Sequence, residues 1–367
     1  MKIICPQSEL MKSISIVLKA VPSKTTMPIL ECILVDATTG TIHFTANDTE
    51  LGIETVVNGT VEEKGMVALD AKIFSEIVRK LPSSDVTITS DENMNTLITC
   101  EKAKFRIAGK DGDDFSVLPI IEKNSSVQMS QFTLKETIRQ TIFSIASNDT
   151  NKIMTGELFE ITGDQLRVVS LDGHRISIRK VQMKESSQDT KVIVPGKTLQ
   201  EVSKILSGET ESLVTVTFAK NHIMFEFDDT TVVSRLIEGS YFRVDQMISG
   251  DYETKIRINK KEMLSCIDRS TLLVREDDKK PIILNITDGV MELKISSQIG
   301  SMNETIEVEK EGRDILIGFN PRFLIDALRV IDDETIDIYF MNSKAPCFIR
   351  DSAQSYVYLV LPVNFVA

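Results

Sequence analysis

The feature that most constrains this chain is a repeat of about 125 residues. Three segments share one plan: MVALDAKIFSEIVRKLP at 66–82, KVIVPGKTLQEVSKILSG at 191–208 and ILIGFNPRFLIDALRVIDD at 315–333. Each opens with an apolar, strand-like run (Val67-Ala68-Leu69, Val192-Ile193-Val194, Ile315-Leu316-Ile317), then a turn, then an amphipathic helix pattern. Phe74, Leu199 and Leu324 stand at one interval of 125, as do Leu81, Leu206 and Ile331. A fixed period with matched patterns is the signature of internal repeats. This period is far longer than a solenoid unit, so each repeat is a whole domain. The expected domains are 1–125, 126–250 and 251–367. They meet at polar, turn-forming stretches near 123–128 and 249–254, too short for flexible linkers.

At about 100° per residue, Phe74, Ile77, Val78 and Leu81 share one helix face. Lys72 and Arg79 fall on the opposite face, and the pair recurs as Lys197 with Lys204 and as Arg322 with Arg329. Two readings stand here. One is a solvated face with local ion pairs, because Glu76, Glu201 and Asp326 recur beside the bases. The other is a threefold basic surface for a polyanion. The first half of each repeat opens with another helix, where Lys12 and Lys19 are again seven apart. The second copy has Lys135 and Arg139; the third has Lys260, Lys261 and Arg269, placed less regularly. Alternating strand runs joined by turns follow each helix, as at Thr39-Gly40, Gly163-Asp164 and Asp288-Gly289. The fold class is therefore α+β, each repeat being two β–α–β–β units with helices on one face of antiparallel sheets.

Formal net charge is −12, which excludes a wholly basic nucleic-acid-coating protein. Trp is absent and aromatics are sparse, against a base-stacking single-strand binder. Five scattered cysteines with no CxxC pair suit reduced thiols in a cytoplasm, with no zinc site and no disulfide scaffold. The N-terminus lacks signal-peptide character, and no apolar run approaches the roughly 20 residues of a membrane helix. The most enzyme-like string is Ser170-Leu171-Asp172-Gly173-His174-Arg175, in which Asp172 and His174 resemble a hydrolase base pair. Against it, no HExxH, GxSxG, P-loop or GxGxxG occurs. The plainer reading is a strand-to-strand turn shaped by Asp172 and Gly173; a third is a recognition pocket lined by His174 and Arg175.

Pro28-Ile29-Leu30, Thr155-Gly156-Glu157-Leu158-Phe159-Glu160, Asp172-Gly173-His174-Arg175, Val192-Ile193-Val194-Pro195, Ile317-Gly318-Phe319-Asn320 and Leu361-Pro362-Val363, in this order and spacing, resemble the bacterial sliding clamps, the beta subunits of DNA polymerase III. The resemblance covers the full length. It implies a head-to-tail homodimer in which three clamp domains per chain form half of a six-domain ring, helices lining the hole and sheets outward. It implies a non-enzymatic processivity factor in the cytoplasm, without cofactor or metal, that encircles double-stranded DNA.

The resemblance gives Lys72, Arg79, Lys197, Lys204, Arg322 and Arg329 phosphates to meet, and adds Lys24, Asn148 and Lys152 from loops near DNA. Such contacts are sequence-independent and weakened by salt. It also implies a cleft for short extended peptides of the replicative polymerase, the clamp loader, and repair and translesion polymerases. Matching positions are Met154, Leu171, Gly173, His174, Arg175 and Ile176, then Phe242 and Met247, then Pro346, Leu361, Pro362 and Val363. Here the chain departs from the family at Ser240-Tyr241-Phe242-Arg243-Val244-Asp245 and at its tail, Asn364-Phe365-Val366-Ala367. Phe105, Leu272 and Leu273 match the dimer contact by position, the other reading being that they are ordinary core residues. A hydrolase or transferase using Asp172 and His174, or a three-domain scaffold that binds protein partners without DNA, are the competing functions.

Overall fold

The computed structural model describes residues 1–123, 125–147, 150–248, 250–274 and 280–365. Six α-helices stand among these residues: α1 (Gln7–Val17), α2 (Ala71–Lys80), α3 (Gln131–Thr141), α4 (Gly196–Ile205), α5 (Lys260–Ser270) and α6 (Pro321–Val330). The 125-residue interval holds for the starts of α2, α4 and α6. Local chemistry sets these starts. Asp70 caps α2 by accepting from Ile73 N at 2.8 Å, and Asn320 caps α6 by accepting from Arg322 N at 3.0 Å. Pro321 opens α6, where its missing N–H costs nothing. Phe74 and Val78, Leu199 and Val202, and Leu324 and Leu328 are buried, as the helical spacing predicts.

Two compact units divide the chain: residues 1–134 with 200–236, and residues 135–199 with 237–367. In the first, a five-stranded sheet runs Thr60–Glu63, Lys2–Pro6, Asp85–Ser90, Asn95–Cys100, Ala103–Ala108. Its eight-stranded sheet runs Ser126–Ser130, Leu213–Phe218, His222–Phe227, Thr230–Arg235, Leu51–Val57, Ile42–Asn47, Cys32–Asp36, Met66–Asp70. In the second unit, a nine-stranded sheet runs Thr190–Pro195, Gly156–Thr162, Gln165–Leu171, Arg175–Gln182, Tyr356–Val360, Cys347–Arg350, Thr335–Phe340, Thr254–Asn259, Glu309–Gly312. A four-stranded sheet there runs Ser301–Glu307, Val290–Ser296, Ile282–Thr287, Ile315–Phe319. Each half-repeat holds a strand, a helix and three strands, one strand more than the turn signals give, and the second halves of the first and third repeats add a short leading strand, Thr60–Glu63 and Glu309–Gly312. No helix among the described residues is long and apolar enough to cross a membrane.

The eight- and nine-stranded sheets explain why the units cut through the middle repeat. The last strand of the first half of one repeat pairs antiparallel with the last strand of the next repeat. Leu51–Val57 pairs with Thr230–Arg235, Thr55 opposite Thr230. Arg175–Gln182 pairs with Tyr356–Val360, Arg175 opposite Val360. By this rule two strands are left over: Ala103–Ala108 from the first repeat and Ser301–Glu307 from the third. Each lies at the margin of its sheet.

Candidate functional site

The six paired bases, Lys72, Arg79, Lys197, Lys204, Arg322 and Arg329, are all exposed. Their acidic neighbours divide. Arg79 pairs with Glu76, and Lys204 with Glu201 at 2.8 Å, one helical turn away. Asp326 departs from the expected pattern: it turns to Arg175 at 2.6 Å, and Arg329 takes Asp268 of α5 at 3.4 Å instead. The cause is local, because Arg175 is nearly buried and draws the nearest carboxylate. The first-half helices do not keep the seven-residue pairing. Helix α1 ends at Val17, and Lys19 lies in a tight turn, Leu18–Ala20. Arg139 on α3 binds Glu136 and reaches Asp332 at 3.2 Å. Lys24 and Lys152 are exposed, while Asn148 lies outside the described residues.

The Asp172–Arg175 turn organises the second region. Asp172 Oδ1 accepts from His174 N at 2.9 Å and from Arg175 N at 3.1 Å, and Oδ2 accepts from Arg175 Nε at 2.9 Å. The carboxylate is therefore spent on shaping a turn and holding a guanidinium, which removes it as orienter of a catalytic imidazole. Gly173 takes φ +88°, and nothing stands within 4 Å of where its Cβ would be. The same turn recurs in the first repeat, where Asp48 Oδ1 accepts from Glu50 N and Leu51 N at 3.0 and 2.7 Å.

Arg175 also donates to Phe143 O at 2.5 Å and lies over the rings of Phe323 and Phe143, 4.4 and 5.4 Å from their centres. It is a buried strut. Its exposed neighbour His174 stacks on Phe323 at 6.2 Å. Beside this turn, four of the matching positions share one apolar cluster. Leu171 and Ile176 are buried, with Met154 and Phe242 partly buried in the same cluster. Met247 and Leu361 expose apolar surface, while Pro346, Pro362 and Val363 are half-buried. Leu361 N donates to His174 O at 2.9 Å, so the chain stays beside the turn after the strand stops at Val360. Pro362 then ends that pairing, as its missing N–H requires. The departing stretch at 240–245 is built in: Tyr241 and Val244 are buried, and Asp245 accepts from Arg167 at 2.6 Å. No sequence signal pointed to Phe323 or to the Arg175–Asp326 pair.

At the leftover strands, Phe105 is 38 % and Leu272 79 % exposed, while Leu273 is half-buried. Leu273 lies near Gly300, at the start of the strand Ser301–Glu307.

Three family models match the chain end to end: the DNA polymerase III beta subunit N-terminal domain over 1–119, its central domain over 128–242 and its C-terminal domain over 245–364. The chain belongs to the DNA polymerase III beta subunit family. A beta sliding clamp of Staphylococcus aureus is 33 % identical over 358 residues, 95 % of each chain. Among solved structures of beta subunits, one from Eubacterium rectale is 65 % identical, with TM-score 0.97 and full coverage of both chains. The sliding clamp of Bacillus subtilis is 34 % identical, with TM-score 0.96 and full coverage of both. Three tandem clamp domains of mixed α+β structure are thus this beta-subunit chain's fold, and the repeat is its sequence trace.

Proposed function

We propose that two copies of this chain close into a ring around double-stranded DNA and hold DNA-processing proteins to it, without catalysis of their own. The supporting observation is the pair of leftover strands. Both internal junctions join the last strand of a first half to the last strand of a second half, and a second copy supplies the missing partner for each leftover edge. Transferring either internal register to the leftover strands gives one answer. Thr55 opposite Thr230 maps to Glu304 opposite Ala103, and Arg175 opposite Val360 maps to Gly300 opposite Ile107. Both place Phe105 opposite Met302. Lys104 and Arg106 on one edge and Glu304 and Glu307 on the other favour that docking by charge. Leu272 and Leu273 gain cover beside it.

Closed this way, the ring holds DNA by topology. The exposed pairs on α2, α4 and α6 meet phosphates and carry no sequence preference, with Lys24, Asn148 and Lys152 adding loop contacts. Glu76 and Glu201 temper two of the three pairs, and a moderate field suits sliding. The apolar group around His174 takes short extended peptides of the replicative polymerase, the clamp loader, and repair and translesion polymerases. Met154, Met247 and Leu361 supply adaptable surface for them. Placement in the cytoplasm, where DNA is copied, completes this reading.

The test uses the derived register. All five native cysteines are buried, so introduced ones report cleanly. The double variant Phe105→Cys with Met302→Cys is expected to give a covalent dimer on mild oxidation. The offset pair, Phe105→Cys with Glu304→Cys, sits diagonally at about 7–8 Å and is expected to react poorly. Equal reaction of both pairs, or of neither, overturns the junction.

A further inference from the structure

Three equivalent spots occur on the sheets: Leu34 opposite Ala68, Leu158 opposite Ile193, and Ile283 opposite Gly318. In each repeat the segment after the last strand bonds there. Lys110 N donates to Ala68 O at 2.8 Å, Ile237 N to Ile193 O at 2.9 Å, and Val363 N to Gly318 O at 2.8 Å. An aromatic residue follows each bond. Phe115 clusters with Leu34, Ala68 and Met66; Tyr241 clusters with Leu158 and Ile193. Phe365 lies over Gly318, its ring 2.7 Å from where a Cβ would stand. The absence of a side chain at 318 is what lets the ring settle onto backbone.

The third spot differs in how well it is covered. Phe115 and Tyr241 are buried, and Tyr241 is further anchored by its hydroxyl donating to Val169 O at 3.2 Å. Phe365 is half-buried. Leu316, the counterpart of Met66, remains 39 % exposed. A cleft of about 590 Å³ opens alongside, with Leu316, Met341, Val363 and Phe365 among its lining residues. Val363 is the one lining residue that also belongs to the positions proposed for peptide binding.

We propose that the Gly318 slot is a second docking site, taken by an extended segment of a partner protein that carries an aromatic side chain, with Phe365 as the displaceable stand-in. The chain's own segments at Phe115 and Tyr241 show the chemistry that fits: an extended backbone, one aromatic ring on the sheet, and aliphatic residues close behind. The rim carries both signs of charge, Glu253 and Asp314 with Arg313 and Lys344, so it suits a segment of low net charge flanking the ring.

The probe is an N-acetylated peptide with the sequence of residues 115–121, Phe-Ser-Val-Leu-Pro-Ile-Ile, carrying a fluorophore at its C-terminus and titrated by anisotropy against the full chain. Phe365→Ala is expected to tighten binding about tenfold, because apparent affinity scales with the fraction of time the slot is vacant. Leu316→Arg, at an exposed position that leaves the fold intact, is expected to abolish binding, as is Ser in place of the peptide's Phe. Met247→Arg, in the other cleft, is expected to change nothing. Failure of the probe to bind the Phe365→Ala protein overturns the proposal. So does indifference to the peptide's Phe, or dependence on Met247 in place of Leu316, which assigns the probe to the neighbouring cleft and leaves the reading of that cleft standing.

Discussion

Glu157 is buried in the strand Gly156–Thr162, and neither carboxylate oxygen has a hydrogen-bond partner in the protein. Burial pushes its proton affinity well above that of an ordinary carboxyl, with Thr141 opposing weakly. The folded protein then keeps a proton that the unfolded chain releases above about pH 4.3. Where the native state binds more protons, stability falls as pH rises. The contribution is present in full below the unfolded value and is lost as pH climbs toward the folded one. Glu157→Gln, which is neutral at every pH, is expected to remove a slope of up to about 1.4 kcal/mol per pH unit. Urea denaturation of both proteins between pH 5 and pH 8 reads this directly. Parallel stability–pH curves would show that the carboxyl is already charged and paired in solution.

At the scale of the element, the segment after each repeat's last strand matters as much as the helices. Leu118, from the segment following Phe115, occupies the side-chain space of residue 52, and a Cβ on Gly52 would stand 2.1 Å from its Cδ2. Gly52→Ala is expected to destabilise by about 1–3 kcal/mol through overpacking, and Leu118→Ala in the same chain is expected to recover most of that loss. Thermal unfolding of the single and double variants measures the coupling; simple additivity would mean that the two positions do not compete for space. None of this was legible beforehand, because a glycine inside a strand pattern does not announce which distant residue fills its place. The three helices were legible, since α2, α4 and α6 each combine a capping or turn residue, an apolar stripe and one fixed interval. Pairing between repeats was not. Thr55 and Thr230, or Arg175 and Val360, lie far apart in sequence, and alternation fixes a strand's faces without naming its neighbour. Asp326 misled for a related reason: its spacing matches Glu76 and Glu201, but only the third repeat brings a buried guanidinium within reach.

For the whole molecule, two contributions to holding DNA must be told apart: closure of the ring and attraction to phosphate. They respond to different residues. Phe105 stands on a leftover edge, opposite Met302 in the transferred register, and a charge there would be desolvated on closure. Phe105→Glu is therefore expected to reduce the solution mass from about twice the 41.1 kDa chain to one chain, and to abolish retention on circular DNA. Lys72, Lys197 and Arg322 stand instead at equivalent exposed positions on α2, α4 and α6, and none belongs to either leftover strand. Reversing all three to Glu is expected to leave the doubled mass intact while slowing loading and lowering polymerase processivity. Removing a base that neutralises one phosphate also flattens the salt dependence of the encounter, by close to one unit in log–log slope. Light scattering over a dilution series, paired with retention on nicked circles before and after linearisation, separates the outcomes. Retention that survives linearisation would show that charge holds the DNA. Retention that ends at the cut, at salt high enough to screen the phosphates, would show that the closed sheet edges do.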